Sequence, residues 1–569
     1  MAKKKIRKRF LIVFSSILIL FLLMDLYFGV FIRLHPPDIK DKSSLKAIRT
    51  MPEKDFYRID YSWLKKSETG LWEMYIQGKP FERGVYAGKL CKELLKFQED
   101  VFFKQINQLV PSKVFLRILK YFIYWFNRNI DQHISKEYLE EIYGLSLSTP
   151  SEYEFIGNGY ERTLNYHAAH DIGHALQDYK IVGCTSFAAW NKKTSDSTLI
   201  IGRNFDFYAG DEFSKNKIVS FFKPDSGYPF MYVGWAGMLG DISGMNMQGL
   251  TVSINAAKSD VPFTAYTPIS LLAREILQYA ADIPQAIAIA KSRQTFVSES
   301  ILIGSASEKT VAIIEKSPTK IGIVYPKTNY QICSNYFQSD EFKNDPLNIE
   351  NIKTAASYYR YQRVDELIHS YPKLNVDKVA AILRNKEGLH NQNIGLGNEK
   401  AINQLIAHHS VIFVPEKRLV WISTAPFQLG CYIPYDLNKI FSNFANLKTK
   451  QEIYEKILVI PADTFLYSRE YLQFLRYKYL GAVIRKFIKE KNPVMLDSAN
   501  IHYFAMQNPE YFSTYVTLGN FFEMNYDYPR AIEYYEKSLT KEFEKTTDRD
   551  NIIKKIYQIK KHKTNSIHQ

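Results

Sequence analysis

The chain reads as an α+β protein with an apolar helix at its N-terminus and a helical region at its C-terminus, and three observations carry that reading. From Cys184 to about residue 337, strand-like runs (IVSFFK, PFMYVGWAGM, GLTVSIN, SILIGSA, TVAIIEK, KIGIVYP) are interrupted by the helical stretches ISLLAREILQYAA and PQAIAIAKS, a mixture that points to a layered core. Residues 10–32 form an almost uninterrupted apolar run whose one charge is Asp25. Beyond about residue 436 the spacing of apolar residues is helical throughout.

At 569 residues, 46% of them hydrophobic, the chain has room for a large core and for about three or four domains. Its formal charge of +15 is concentrated in two terminal clusters, KKKIRKR at 3–9 and IKKIYQIKKHK at 553–563. The centre is therefore no basic platform, and with no nucleic-acid-binding signature present, nucleic acid is excluded as a partner. Four scattered cysteines, Cys91, Cys184, Cys333 and Cys431, neither build a disulfide scaffold nor carry metal-ligand spacing.

Taken in order, residues 1–9 are a basic tail and 10–32 a transmembrane anchor, since about 20 apolar helical residues cross a bilayer. The basic flank fixes the tail on the cytoplasmic side, and no small-residue cleavage site follows. A single-pass protein with its catalytic domain outside the cytoplasm is expected. Residues 33–69, opened by HPPDIKDKSS, read as a linker. Residues 70–183 read as a helical segment, with VYAGKLCKELLKFQEDVF and SKVFLRILKYFIYWF at three- and four-residue apolar spacing. Residues 184–435 are the core, and 436–569 a helical region. Within that region Leu518, Gly519, Phe522, Ala531, Tyr535 and Ser538 fall at the positions of a tetratricopeptide-like repeat, a candidate docking surface for a peptide or protein partner.

Cys184 is the residue on which function turns. A cut between Gly183 and Cys184 gives one residue both a thiol and an α-amine, whose pKa near ~7.7 suits a general base at neutral pH. The runs SFAAW and TLIIG that follow, separated by a turn at 191–197, place Cys184 at the head of a hairpin, with Arg203, Asn204 and Asp206 where its second strand ends. An arginine beside the sulfur favours thiolate. Glycine at 183 would also tolerate a strained backbone at the bond to be cut.

These residues resemble the N-terminal-nucleophile hydrolases, within them the relatives of acyl-coenzyme A:6-aminopenicillanate acyltransferase and choloylglycine hydrolase. The likeness runs through GCTSFAAW and GRNFDF, SGMNMQGLTVSIN at 243–255, YQICSNYF at 330–337, TAASYYRYQRVDEL at 354–367 and HHSVIFVPEKRLVWIS at 408–423, with IQGKPFERGVYAGKL at 76–90 upstream. The resemblance implies a four-layer αββα sandwich, self-cleavage at Gly183–Cys184, and an acyl-enzyme on Cys184. It implies Arg203 and Asp206 beside the nucleophile, Asp206 holding the α-amine, and Asn255 and Asn335 as oxyanion donors. Either Arg360 or Arg363 corresponds to a helix arginine near the nucleophile, with Arg360 the catalytic candidate and Arg363 accessory. No cofactor is implied.

The expected activity is hydrolysis of a small-molecule N-acyl amide. Acyl transfer is the alternative, disfavoured because acyl-coenzyme A is not expected outside the cytoplasm. A non-catalytic, membrane-anchored interaction protein using the helical repeat is the rival of another class. The chief competing site is NYHAAHDIGHAL, where His170 and His174 stand one helical turn apart. Asp171 stands where a metalloprotease needs Glu, and no third ligand is evident, so no metal is expected. His167, His170 and Asp171 are instead candidates for assisting the cut.

Overall fold

The computed structural model describes residues 34–109, 112–175, 183–260, 264–491 and 498–567, with isolated positions between 15 and 32. Strands β1 (Thr50–Glu53), β2 (Phe56–Ile59), β3 (Ser62–Lys66) and β4 (Trp72–Gly78) precede Cys184, and β5 (Thr185–Ala189) and β6 (Ile200–Phe205) follow it directly. Next come β7 (Ile218–Pro224), β8 (Phe230–Gly234), β9 (Ser243–Asn246), β10 (Leu250–Ala256), β11 (Glu299–Ser305), β12 (Thr310–Lys316) and β13 (Ile321–Val324). The last are β14 (Tyr330–Cys333), β15 (His409–Val414), β16 (Leu419–Ser423) and β17 (Tyr432–Asp436).

They form an 11-stranded sheet, β1-β2-β3-β4-β7-β8-β9-β10-β11-β12-β13, and a 6-stranded sheet, β14-β5-β6-β15-β16-β17. All pairings are antiparallel except β4 beside β7. Side chains alternate faces along a strand. Ala188, Ile201, Val411 and Phe413 accordingly meet Val219, Met231 and Leu302 between the sheets. Their neighbours Phe187, Ala189, Ile200 and Ile412 pack outward onto Val379, Ile382 and Val364. Strands buried on both faces read as continuous apolar runs, which is why SFAAW and TLIIG show no polar alternation.

Helices α1 (Pro80–Leu90), α2 (Lys92–Leu109), α3 (Lys113–Phe126), α4 (Lys136–Ser146), α5 (Gly159–Ala175), α6 (Ile269–Tyr279) and α7 (Ile283–Ser292) follow one another in the chain. Val85, Leu90, Ile142, Leu164, Ile276 and Ala286 from this set cover Ile76, Phe222, Ile254 and Ile303 on the outer face of the large sheet. Gly84 is required here, because a Cβ would lie 1.9 Å from the Glu141 carbonyl oxygen where α1 crosses α4. Helices α8 (Pro346–Thr354), α9 (Ala356–Ser370) and α10 (Val376–Leu383) lie on the side of the small sheet, α9 and α10 supplying its outer cover. The layers thus run helix, sheet, sheet, helix.

After α11 (Leu437–Asn443), helices α12 (Arg469–Glu490), α13 (Ser498–Gln507), α14 (Phe512–Met524), α15 (Tyr528–Ser538) and α16 (Thr546–Ile567) form the C-terminal region. Its cluster of Phe474, Phe504, Leu518, Phe522, Ala531 and Tyr535 also takes in Leu405, Ala407, Phe427 and Leu429 of the core. All six repeat-like positions lie on α14 and α15, where Gly519 faces the Tyr535 ring.

Two expectations need correction. Among the described residues no helix is long and apolar enough to cross a membrane, and most of 10–32 lies outside the described residues. A span needs about 20 continuous apolar helical residues, so apolar composition alone does not make one. The transmembrane anchor, the membrane as partner and the single-pass, extracytoplasmic localisation are overturned with it. Residues 33–69 are no linker either: Leu34 and Ile39 enter the core, and β1, β2 and β3 extend the large sheet. Polar residues concealed these strands. Lys65 is wholly buried against Glu73, and Asp55 and Asp60 form turns at φ 57 and 48.

Candidate active site

Period-two alternation decides which side chains enter the gap between the sheets. Ser186, Arg203 and His409 share the inward parity of Ala188, Ile201 and Val411, while Ser243 and Asn255 share that of Met245 on the facing sheet. They meet around Cys184, which is 1% exposed. Arg203 Nη2 lies 3.6 Å from Cys184 Sγ and also bonds the Ile254 carbonyl; Nη1 donates to the Ile242 carbonyl at 2.9 Å and to Ser243 Oγ. Burial pushes the Cys184 thiol up to about 11, with Arg203 pulling against it. Asp206 is fully buried, and burial pushes its carboxyl up to about 7 against the pull of Arg360 and Arg203. Its Oδ1 has no hydrogen-bond partner among the described residues.

Asn255 accepts from Ser186 Oγ at 2.8 Å and donates to the Cys333 carbonyl at 3.0 Å. Asn335 donates to the Ala256 carbonyl at 2.9 Å and accepts from Arg360 Nη2 at 2.6 Å. An amide NH₂ carries two hydrogens, so each asparagine retains one beyond these bonds. Of the two helix arginines, Arg360 reaches the site side, bonding Thr185 Oγ1 at 3.2 Å and the Glu399 carbonyl at 2.7 Å. Arg363 turns away, to Asn385, Glu366, Glu387 and Asn391.

Four polar neighbours of the site are not among the residues the sequence singled out. Gln404 donates from Nε2 to the Gly183 carbonyl oxygen at 2.7 Å and lies 3.4 Å from Asp206 Oδ2. A Cβ at Gly183 would lie 2.6 Å from Gln404 Nε2, so the glycine makes room for the glutamine. Behind Arg203, Ser243 Oγ lies 2.8 Å from His409 Nε2, and His409 Nδ1 lies 2.9 Å from His408 Nδ1. Burial holds both imidazoles well below their usual range, hence neutral. With Arg203 donating to Ser243, one consistent assignment runs outward, hydroxyl to His409 Nε2 and His409 Nδ1–H to His408 Nδ1, and leaves His408 Nε2–H without a partner among the described residues. Gln404 belongs to no motif, whereas Ser243 opens the run at 243–255 and His408 and His409 open the run at 408–423, where nothing in the pattern assigned them a role.

His167 is buried, with Nδ1 2.8 Å from the Thr163 carbonyl oxygen and Nε2 accepting the Leu239 N–H at 3.0 Å. Burial lowers it to about 4. It is a satisfied core histidine, away from any bond to Gly183 or Cys184. His170, Asp171 and His174 lie on α5, and their side chains fall outside the described residues. Among the described residues no group of three or more His, Cys, Asp or Glu side chains is placed to hold a metal ion.

Residues 190–427 match the model of the acyl-coenzyme A:6-aminopenicillanic acid acyl-transferase family, which bears out the resemblance read in the sequence. An uncharacterized protein of Archaeoglobus fulgidus is 25% identical over 362 residues, 58% of this chain and 60% of that one. The chain thus spans about 60% of the length of that relative. Among solved structures, a Caenorhabditis elegans ortholog of N-acylethanolamine-hydrolyzing acid amidase is 18% identical, covering 41% of this chain and 93% of its own, with a TM-score of 0.29. A mutant conjugated bile acid hydrolase from Clostridium perfringens is 13% identical, covering 48% and 97%, with a TM-score of 0.33. At those TM-scores the structural likenesses carry no weight for this chain.

Proposed function

We propose that the protein is a self-processing cysteine amidohydrolase that cleaves an N-acyl amide through an acyl-enzyme on Cys184. The observation that carries this reading is the trio of Cys184 Sγ, the Arg203 guanidinium 3.6 Å from it and the buried, half-unpartnered Asp206 carboxylate. A thiol buried in apolar surroundings is inert, and the cation beside it pulls against that burial. After the cut, the new α-ammonium of Cys184 supplies the partner that Asp206 Oδ1 lacks, and its neutral form is the base.

In turnover the sulfur attacks the substrate carbonyl while the α-amine takes the thiol proton. Negative charge forms on the carbonyl oxygen, towards which Asn335 and Asn255 offer their second amide hydrogens. The amine then protonates the leaving nitrogen, and water releases the acyl group from the thioester. The family match favours a second fate for the same thioester, capture by an acceptor amine. The objection to an acyl-coenzyme A donor rested on an extracytoplasmic location and falls with it.

Intact-mass spectrometry tests the reading. The expected result is two chains, one ending at Gly183 and one beginning at Cys184, with Cys184→Ala yielding a single chain and no hydrolysis of N-acyl amides. Full-length wild-type protein that turns over such an amide overturns it.

A further inference from the structure

The loop from Asn393 to Leu405 lies between the catalytic core and the C-terminal helices, and both faces of it are bonded. Towards the core, the Glu399 carbonyl accepts from Arg360 Nη1 at 2.7 Å, and Gln404 Nε2 donates to the Gly183 carbonyl oxygen at 2.7 Å. Towards the C-terminal region, the Glu399 N–H donates to Glu544 Oε1 at 3.1 Å, and Asn398 Nδ2 donates to the Glu542 carbonyl at 3.0 Å. Asn508 closes a two-bond ring with Leu396, at 3.1 and 2.8 Å. Gly395 is at φ 81, and a Cβ there would lie 2.4 Å from the Tyr511 backbone, so loop and helices are in main-chain contact. Asn398, Gln404 and Glu544 are each no more than 1% exposed.

The orientation of the Gln404 amide is fixed by its neighbours. Gly183 O and the Asp206 carboxylate are both acceptors, so Nε2 rather than Oε1 must face them. A neutral double donor buried at the carbonyl of the bond to be cut is the arrangement that stabilises a developing oxyanion, and one such donor is worth a factor of about a hundred or more.

We propose that Gln404 is a catalytic residue of self-processing, donating to the Gly183 carbonyl oxygen as it takes up negative charge, and that the C-terminal helices, through Glu544 and Asn508, position the loop that delivers it. The proposal rests on the self-cleavage proposed above. Attack forms a bond between Cys184 Sγ and the Gly183 carbonyl carbon and moves an electron pair onto the oxygen. Collapse breaks the bond to the Cys184 nitrogen, which receives the thiol proton by way of the Asp206 carboxylate. Water then adds to the thioester, leaving a Gly183 carboxylate, the free thiol and the α-amine. The C-terminal region is on this account part of the processing machinery, acting through hydrogen bonds to one loop.

The test follows cleavage of freshly translated full-length protein over time by intact mass, with unfolding midpoints measured alongside. Gln404→Met, similar in size and without donors, and Gln404→Ala should both slow the cut by about a hundredfold. Glu544→Ala should slow it by about tenfold, and Glu544→Gln, which keeps an acceptor for the Glu399 N–H, should restore it. Wild-type rates in the Gln404 variants overturn the proposal while leaving self-processing intact, whereas an uncut wild-type chain overturns self-processing itself. Should both Gln404 variants fail to fold, Glu544→Ala decides: slowed cutting at an unchanged midpoint supports the delivered donor, and unchanged cutting overturns it.

Discussion

The segments on either side of the catalytic layers are both largely helical, yet they are attached by different means. The upstream segment enters the main chain of the core, because β4 pairs with β7 along the full 7-residue length of both strands and β1, β2 and β3 continue the same sheet. Buried charge reinforces it: Arg83 meets Glu137, Glu141 and Asp225, and Arg274 from beyond the cut bonds the same Glu141 carboxylate. Among the described residues, helices α12 to α16 share no strand with the core. They are held by the apolar cluster around Leu405 and Phe427 and by the hydrogen bonds to the 393–405 loop. A cut at Gly183 therefore would not free the upstream piece, which remains part of a sheet. The C-terminal region, gripping through side chains, is the flank that point substitutions can loosen.

The largest effect that would break this contrast is expected at Glu141. Glu141→Ala leaves Arg83 and Arg274 buried with their charges under-compensated, which should cost about 3–5 kcal/mol. Denaturant midpoints of the upstream segment and large sheet, followed by hydrogen exchange, should fall together. A loss confined to α4 would show that the charges do not stitch the halves.

pH sharpens the contrast next. Burial pushes the carboxyls of Asp206 and Asp241, both in the core, up to about 7. The folded form holds protons there that the unfolded chain releases, so their contribution is complete below about pH 4 and lost as pH rises through about 7. The share of core stability carried by these two carboxyls should decline between pH 5 and 7.5, at most about 1.4 kcal/mol per pH unit each. That is opposite in sign to the share of the buried neutral His167, His408 and His409, so the check is a difference: Asp241→Asn should make the slope of the core midpoint more positive than in wild type. In the C-terminal region Glu523 behaves oppositely. Its partial burial is outweighed by bonds from Lys555 and Tyr535 that hold it below the usual carboxylate range. Its contribution is present above about pH 4.3 and lost on acidification, so that region should be indifferent between pH 5 and 7.5. A core slope left unchanged by Asp241→Asn would contradict this.

The smallest effect is expected at Gly519. A Cβ there would lie 2.4 Å from the Tyr535 ring. Gly519→Ala should destabilise the α14–α15 pair by about 1–3 kcal/mol through overpacking. Hydrogen exchange should rise in those helices while the sheets stay protected. Exposure spreading into β15 or β16 would mean that the C-terminal region and core unfold as one.

Several features were legible because they depend on local pattern. The hairpin after Cys184, the strand pair at 243–256 and the helix carrying Arg360 each occupy a continuous run whose period fixes which residues share a face. Others were concealed for a physical reason. Lys65 and Glu73 are charged, and a single charge within a short strand looks like loop until its partner on the next strand is known. The apolar run at 10–32 predicted a span, and among the described residues no helix is long and apolar enough to cross a membrane.

The sequence by itself determined the resemblance to an acyltransferase family, the hairpin headed by Cys184 with Arg203 and Asp206 where its second strand ends, and the two arginines competing for one role. Only the tertiary structure decided between Arg360 and Arg363, and brought Gln404 to the Gly183 carbonyl across 221 residues of chain. The division has a single cause. Periodicity encodes which way a side chain points from its own strand or helix, whereas the partner it meets there is set by how separate elements stack, and nothing local to Gln404 or Glu544 records that.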